Sequence, residues 1–378
     1  MRILVLITAV LVAAGCATSG TAPVTSESGA ALPPSVGTTL QGVLDANREK
    51  LAYPGAMVGV WTPDGTWFGV TGDSGPDSGR PPQRDDHTRI GSLTKTFTVM
   101  ALLQLADRGQ VSLQDPIGRY VPGLPNGETA TLRDLAAMTS GIGNYSASEA
   151  FGEAWSADLA GAVFTPTQLV DFVKDEPALF PAGTQMDYSN TNTVLLGMVI
   201  EKVTGQPMAQ VYRTNLLEPL GMSQTSFPGS SPELPQPHLG GVTNQPDGVV
   251  RNATDWNPSW TFTAGGMIST LDDMRTWTVA LGTGGGLISE EMQRQREDST
   301  TSTVPPNDPE LSYALGFFVD RGWWGHNGAL PGFTSYAVYH PQRQTSVVVF
   351  VNSDITTPEQ QTKAADLLAA DVIDALPS

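Results

Sequence analysis

The sequence predicts an α+β fold in which an antiparallel β-sheet, built from both termini of the chain, is flanked by helices. Two observations predict this fold. Short β-rich runs lie at 56–71 and again at 335–351. The long stretch between them, about 92–280, has mostly helical patterns. Strands from both ends reach one sheet when the middle of the chain is an insertion, so we expect an inserted, mostly helical region.

The individual elements follow from local patterns. A helix is predicted over 38–51, and strands over 56–61 and 66–71 form a hairpin about Asp64-Gly65. A second hairpin pairs 335–340 with 345–351, and a last helix covers 358–375. A single domain is therefore predicted over 38–378. Its sheet part covers about 38–91 and 281–378, and its helical part about 92–280.

The N-terminal segment resembles a bacterial lipoprotein signal. Residues 1–15 hold one basic residue and a short apolar stretch that ends before Cys16, the single cysteine of the chain. We expect cleavage before Cys16 and lipidation of its thiol, which predicts an exported bacterial cell membrane lipoprotein facing outside the cytoplasm. An ordinary secretory signal peptide is the alternative. Residues 16–37, rich in Ser, Thr, Gly and Pro, predict a flexible tether.

The composition argues against several kinds of binding partner. The chain has 378 residues and a formal net charge of −18, which argues against binding nucleic acid or an anionic membrane surface. The acidic residues are scattered, and they also disfavour strongly anionic substrates. His87, His238 and His340 lack the spacing of metal ligands, so neither a metal nor a cofactor is predicted.

Ser92 and Lys95 form the first motif with chemical meaning. They stand three residues apart at the start of a predicted helix over 96–105, where side chains at i and i+3 share one face. A serine hydroxyl is a weak nucleophile until a neighbouring base takes its proton. The apolar helix predicts burial of Lys95, and burial lowers the pKa of an amine toward the range of a base. The alternative is a helix cap followed by a surface lysine.

The second motif contains Tyr188 and Asn190, which follow a Pro-x-Gly turn and precede an apolar helix over 194–203. A tyrosine hydroxyl beside a lysine can exchange protons, and an asparagine amide can orient both a substrate carbonyl and the lysine. The alternative is a capped turn, in which Asn190 or Asn192 caps the helix.

The third motif is His326-Asn327-Gly328. Gly328 would allow a substrate to lie close to an extended backbone. The backbone N–H groups of Ser92 and Ala329 would together form an oxyanion hole. A glycine-rich loop around a packed histidine is the alternative.

In this order the three motifs resemble those of the penicillin-recognising serine hydrolases, a superfamily that includes D-alanyl-D-alanine carboxypeptidases, class C β-lactamases and esterases. The resemblance implies a β-lactamase-like fold and catalysis through an acyl-enzyme on Ser92, with Lys95 and Tyr188 moving protons. It also implies substrate binding by Asn190, His326, Asn327 and Gly328. His326 stands where many relatives have lysine, so we expect its charge to vary with pH near neutrality.

The substrate is left open by the sequence. The expected partner is a small ester or peptide, which corresponds to an esterase or a D-Ala-D-Ala carboxypeptidase. Asn327 and Ala329 replace the hydroxyl residues that flank the glycine in relatives that grip a carboxylate. Arg321 is either a substitute for them or a surface residue. A weak β-lactamase and a catalytically silent binding lipoprotein are further alternatives. The Trp323-Trp324 pair is expected in the core rather than in a pocket.

Overall fold

A computed structural model describes residues 29–76, 78–300, 303–356 and 362–377. Residues 1–28, and with them the predicted signal, Cys16 and most of the tether, lie outside this part. Its helices are α1 (Pro34–Leu51), α2 (Thr94–Asp107), α3 (Leu132–Ala136), α4 (Glu149–Ser156), α5 (Pro166–Asp171), α6 (Asn190–Thr204), α7 (Met208–Tyr212), α8 (Glu218–Leu220), α9 (Leu271–Thr283), α10 (Glu290–Glu297) and α11 (Ala364–Asp374). Its strands are β1 (Gly55–Thr62), β2 (Gly65–Gly72), β3 (Thr88–Arg89), β4 (Val242–Thr243), β5 (Arg251–Asn252), β6 (Ile268–Ser269), β7 (Leu311–Tyr313), β8 (Phe318–Asp320), β9 (Trp323–Leu330), β10 (Phe333–His340) and β11 (Thr345–Val351). Within these ranges, no helix has both the length and the hydrophobicity that crossing a membrane requires.

The main sheet combines both ends of the chain, and the predicted α+β fold is confirmed. Its order is β2-β1-β11-β10-β9-β8-β7, with every neighbouring pair antiparallel. Most of the helices lie in the sequence between β2 and β7. Strands β7 and β8 were not predicted, because three residues are too few to show the alternating pattern of a strand.

Both faces of the sheet are covered, which explains the unbroken apolar run in β11. Val347, Val349 and Val351 belong to a core shared with α1 and α11, whereas Val348 and Phe350 belong to the core under the helical region. A strand buried on both faces needs apolar residues at successive positions. Trp323 packs in the first of these cores, and Trp324 packs beside Phe317 in a smaller one, so the expected core placement of this pair is confirmed.

Two predicted boundaries are wrong. The tether was predicted to extend to residue 37, but α1 begins at Pro34, and Leu32 N–H donates to the Thr66 carbonyl at 2.9 Å. Proline suits the first turn of a helix, where its missing N–H would have no partner. The last helix begins at Ala364 instead of residue 358, because Lys363 is still in an extended conformation.

Helix α2 is buried on all sides at the centre of the molecule. Every residue from Thr94 to Leu105 is buried. The Phe97 ring stacks on Trp277, with 3.6 Å between centroids, and Thr98 Oγ1 lies 2.7 Å from Tyr212 Oη. A helix that is packed on every face cannot rotate about its axis, so the position of its first turn is fixed.

The turn before α2 lies directly against strand β9. Ser335 Oγ on β10 donates to the Ile90 carbonyl at 2.8 Å. Gly91 has a φ of +52°, and a Cβ there would lie 2.7 Å from Ala329 N. A Cβ on Gly328 would overlap the Ile90 carbonyl oxygen. Two glycines therefore allow the backbones of the turn and β9 to touch.

We predict that Gly328→Ala destabilises the fold by about 1–3 kcal/mol, because the added methyl group must displace the Ile90 carbonyl. Urea unfolding measures the change. The matched control is Gly42→Ala in α1, where an added Cβ meets no heavy atom within 4 Å. That change should stabilise the fold by about 0.5–1 kcal/mol, because glycine is costly inside a helix. Equal unfolding free energies for the two variants would contradict the close approach of β9.

Candidate active site

Lys95 and Ser92 meet at the start of α2. Ser92 lies in a 3₁₀ turn, Gly91–Leu93, that leads into the helix. Lys95 Nζ lies 3.0 Å from Ser92 Oγ and donates to the Ala264 carbonyl at 2.7 Å. The Lys95 side chain is fully buried, and this burial holds its pKa well below the usual value of a lysine. The pair thus joins a hydroxyl to an amine whose uncharged form is favoured.

Tyr188 completes this group. Lys95 Nζ lies 4.9 Å from the centroid of its ring. Burial raises the pKa of Tyr188, and the neighbouring Ser92 hydroxyl offsets part of that rise. Tyr188 Oη is buried and has no hydrogen-bond partner of good geometry among the described residues. Tyr188 is thus held in its protonated form beside Ser92.

Asn190 does not reach Lys95, contrary to the prediction that it would orient that side chain. It is the first residue of α6, and its Nδ2 donates to Ser146 Oγ at 2.8 Å. Its backbone N–H donates to Asn144 Oδ1 at 3.1 Å. The Ala264 carbonyl holds Lys95 instead. The alternative of an Asn190 or Asn192 cap is not observed either, because Ser189 occupies the cap position.

His326 is buried and uncharged, which corrects the expectation that it titrates near neutrality. Its Nδ1 lies 2.6 Å from the Asn327 carbonyl, and its Nε2 lies 3.1 Å from Tyr313 Oη. Because a carbonyl only accepts, Nδ1 carries the proton and Nε2 accepts from Tyr313. Burial, followed by repulsion from Lys95, lowers the pKa of His326 to about 3. Its ring centroid lies 5.9 Å from that of Tyr188.

Asn327 faces away from this group. Side chains alternate along a strand, so Asn327 lies on the opposite face of β9 from His326 and Gly328. There it lines a cavity of about 480 Å³ with Tyr336 and Asp366 of α11. The Asn327 side chain is therefore not beside Ser92, where the resemblance had implied substrate binding.

Gly328 has a different role from the one predicted. The space that its missing side chain leaves is filled by the Ile90 carbonyl and Ser335 Oγ, so it is not open to a substrate. The contact brings the Ala329 backbone against Gly91, the residue before Ser92. This proximity is what an oxyanion hole made from the N–H groups of Ser92 and Ala329 requires.

A second, open groove of about 800 Å³ lies in the helical region. Its lining includes Asn144 and Asp187, the neighbour of Tyr188. It also includes Glu149, Glu153 and Glu176. Its lining is therefore acidic.

Three residues at or near the site were not predicted from the sequence to take part in it. Asn144 directly precedes a 3₁₀ turn, Tyr145–Ala147, and Ala264 ends another, Ser259–Ala264. Tyr313 belongs to a strand of three residues. Within the described residues, no group of three or more His, Cys, Asp or Glu side chains is arranged to hold a metal ion.

Comparisons with known proteins agree with this geometry. A family model described as Beta-lactamase matches residues 40–371. The putative penicillin-binding protein PbpX of Bacillus subtilis (strain 168) is 27% identical over 268 residues, which cover 70% of this chain and 61% of that protein. The chain spans about half to three fifths of the length of the curated relatives it matches.

Two solved structures share the fold along nearly their whole length. The D-stereospecific amidohydrolase of a Streptomyces species has a TM-score of 0.79 and 30% identity, and the match covers 90% of this chain and 98% of that one. The D-amino acid amidase of Ochrobactrum anthropi SV3, solved with D-phenylalanine, has a TM-score of 0.77 and 26% identity, with coverages of 90% and 99%. The buried Ser92–Lys95 pair, the neighbouring Tyr188 and the match along most of the chain lead to one assignment: the chain belongs to the Beta-lactamase family, with its serine hydrolase fold.

Proposed function

We propose that this chain hydrolyses amide bonds through an acyl-enzyme on Ser92, and that amides of D-amino acids are its substrates. The observation that carries the proposal is the 3.0 Å contact between Ser92 Oγ and the fully buried Lys95 amine. An uncharged amine in hydrogen-bond reach of a hydroxyl is the arrangement that activates a serine nucleophile. The amidase names of the two structural neighbours support the choice of substrate.

The proposed acylation carries the Ser92 proton, through Lys95 and Tyr188, to the leaving nitrogen. Lys95 takes the proton of Ser92 while Oγ attacks the amide carbon, and the N–H groups of Ser92 and Ala329 hold the oxyanion. Tyr188 then donates its proton to the leaving nitrogen and regains one from the Lys95 ammonium, so the amine departs neutral.

In the proposed deacylation, water attacks the acyl-enzyme by the reverse path. Lys95 takes a proton from the water and returns one to Ser92 Oγ. The bond between Oγ and the acyl carbon then breaks, and the carboxylic acid leaves. The pKa shifts of Lys95 and Tyr188 support these roles. Burial favours the uncharged lysine, which can take a proton, and the protonated tyrosine, which can donate one. His326, with its pKa near 3, holds its place through Tyr313 and exchanges no proton near neutral pH.

The first test is hydrolysis of D-phenylalanine amide, with the L enantiomer, a D-Ala-D-Ala peptide and a simple ester as comparisons. We expect the D-amide to be hydrolysed fastest and Ser92→Ala to lower the rate by about three to six orders of magnitude. Ser92 is half-buried, so the melting temperature should stay nearly unchanged. Ser146→Ala controls for loss of a nearby hydroxyl that does not contact Lys95.

Other outcomes of this test decide among the alternatives. Faster turnover of the D-Ala-D-Ala peptide would identify a carboxypeptidase, and faster turnover of the ester would identify an esterase. No turnover of any substrate, with no acyl adduct on Ser92 by intact mass, would favour the silent binding protein and reject the proposal.

The role of Lys95 is tested by Lys95→Met, which replaces the amine with an apolar chain of similar length. We expect kcat/KM to fall by about 10²–10⁴-fold. In the unchanged protein, kcat/KM should fall with acidification through the lowered pKa of Lys95, because protonation removes the base. Lys95→Met should lose this acid limb. Retention of most activity and of the limb would exclude Lys95 as the base.

The same variant tests the burial of Lys95 through stability. The unfolded chain binds the Lys95 proton more tightly than the folded chain does. The free energy of unfolding should therefore rise with pH between the lowered pKa and about 10.4, the ordinary value of a lysine. Urea unfolding across this range should show a shallower rise for Lys95→Met.

A further inference from the structure

The Tyr188 ring belongs to a cluster of three aromatic rings. The His326 ring lies 5.9 Å from it and the Tyr313 ring lies 6.1 Å from it, measured between centroids. His326 and Tyr313 are themselves 5.7 Å apart, so every ring of the cluster contacts the other two. In a close-packed interior, the direction of the Tyr188 hydroxyl therefore depends on how the other two rings are held.

Two of the three rings are carried by the main sheet. Tyr313 of β7 pairs with Phe318 of β8, and Phe318 pairs with Gly325, the residue before His326. The sheet thus fixes the backbones of Tyr313 and His326 relative to each other. Tyr188 comes from the segment before α6, outside the strands of this sheet. The Tyr313–His326 ring pair is therefore a support against which the Tyr188 ring packs.

Hydrogen bonds fix the orientation of the His326 ring within this pair. Tyr313 Oη donates to His326 Nε2 at 3.1 Å, and His326 Nδ1 donates to the Asn327 carbonyl at 2.6 Å. Both ring nitrogens are engaged, so a rotation of the imidazole would break both bonds. The Tyr313 plane meets those of His326 and Tyr188 at 85° and 79°, which is the edge-to-face arrangement that aromatic pairs prefer.

The bond from Tyr313 also favours the uncharged imidazole. A protonated ring carries a hydrogen on Nε2 and cannot accept there, so a donor at this atom stabilises the neutral ring. The side chains that face His326 from the neighbouring elements are Lys95, Tyr188, Tyr313, Phe318 and Ala337. Lys95 and the two tyrosine hydroxyls are the titratable groups among them. Burial and repulsion from Lys95 act in the same direction and lower the pKa of His326 to about 3.

We propose that Tyr313 is a positioning residue, whose hydroxyl holds the neutral His326 ring in place as a support for Tyr188. This inference rests on the proposed acyl-enzyme function, in which Tyr188 donates a proton to the leaving nitrogen. Tyr313 itself exchanges no proton, because burial raises its pKa well above the usual value of a tyrosine.

Tyr313→Phe removes the hydroxyl and keeps the ring, and nitrogen-15 NMR of the histidine side chains reads the result. At neutral pH, the unchanged protein should show His326 as a neutral ring with its proton on Nδ1. In Tyr313→Phe, Nε2 loses this donor, and a buried acceptor without a donor takes up a proton more easily. We expect His326 to titrate about one pH unit or more higher in the variant. The His326 signal is assigned by its absence from His326→Leu.

Hydrolysis of D-phenylalanine amide at pH 8, where His326 is neutral in both proteins, gives the functional readout. We expect Tyr313→Phe to lower kcat about tenfold with little change in KM, because the proton donor is less well placed while substrate binding is kept. Tyr53→Phe is the matched control. Tyr53 is 4% exposed, as Tyr313 is, and its hydroxyl donates to the Leu44 carbonyl in the core beside α1. This control should keep kcat and the His326 titration of the unchanged protein.

A double-mutant cycle tests whether Tyr313 acts through His326. His326→Leu removes the acceptor and the titrating group and keeps an apolar side chain in the cluster. In this background, Tyr313→Phe should change kcat by about twofold or less, because the bond that it breaks is already absent. Melting curves check that each variant is folded.

The outcomes separate this inference from the proposed function. If the unchanged protein hydrolyses no amide, the proposed function fails. If it does, and folded Tyr313→Phe keeps both kcat and the His326 titration, the positioning role is wrong and the amidase stands. The role is equally wrong if Tyr313→Phe lowers kcat as much in the His326→Leu background. If Tyr313→Phe does not fold, the unchanged protein decides, because a His326 ring that is charged at neutral pH or protonated on Nε2 would reject the role.

Discussion

The complete burial of Lys95 is the constraint on which the rest of the site depends. Burial favours the uncharged form of an amine, and Lys95 stays buried only if every neighbouring element is in place. Helix α2 supplies packing on all sides, the Ala264 carbonyl accepts one N–H, and the Tyr188 ring covers the amine. The preference of Lys95 for its uncharged form is thus a consequence of where the fold places it.

The four titratable groups of the centre share one electrostatic tendency. Burial favours the uncharged amine of Lys95 and the protonated hydroxyls of Tyr188 and Tyr313, and it leaves His326 neutral. Charge would then arise in this site mainly during reaction, as an oxyanion and an ammonium. Fixed N–H dipoles act most strongly where charge develops in dry surroundings, which is the condition for stabilising a transition state over a bound substrate.

The sequence was informative where chemistry depends on local spacing. Ser92, in the turn that leads into α2, and Lys95 are three residues apart, so their contact followed from local helical geometry, and the two hairpins followed from their turns. Asn190 was misplaced because its partners Asn144 and Ser146 come from a separate loop. The pKa of His326 was misjudged because it depends on burial and then on Lys95, and tertiary packing produces both.

The pairing of β1 with β11 has a consequence for the order of events during synthesis. Met57 pairs with Phe350, so β1 can form this pairing only after nearly the whole chain has been synthesised. Ser92 and Lys95 leave the ribosome long before Ala329 does. A growing chain therefore contains the proposed nucleophile and its proposed base without strand β9, and closing a sheet across such a long loop is slow. Until the last hairpin folds into place, the chain contains Ser92 and Lys95 but lacks the complete surroundings that bury the Lys95 amine.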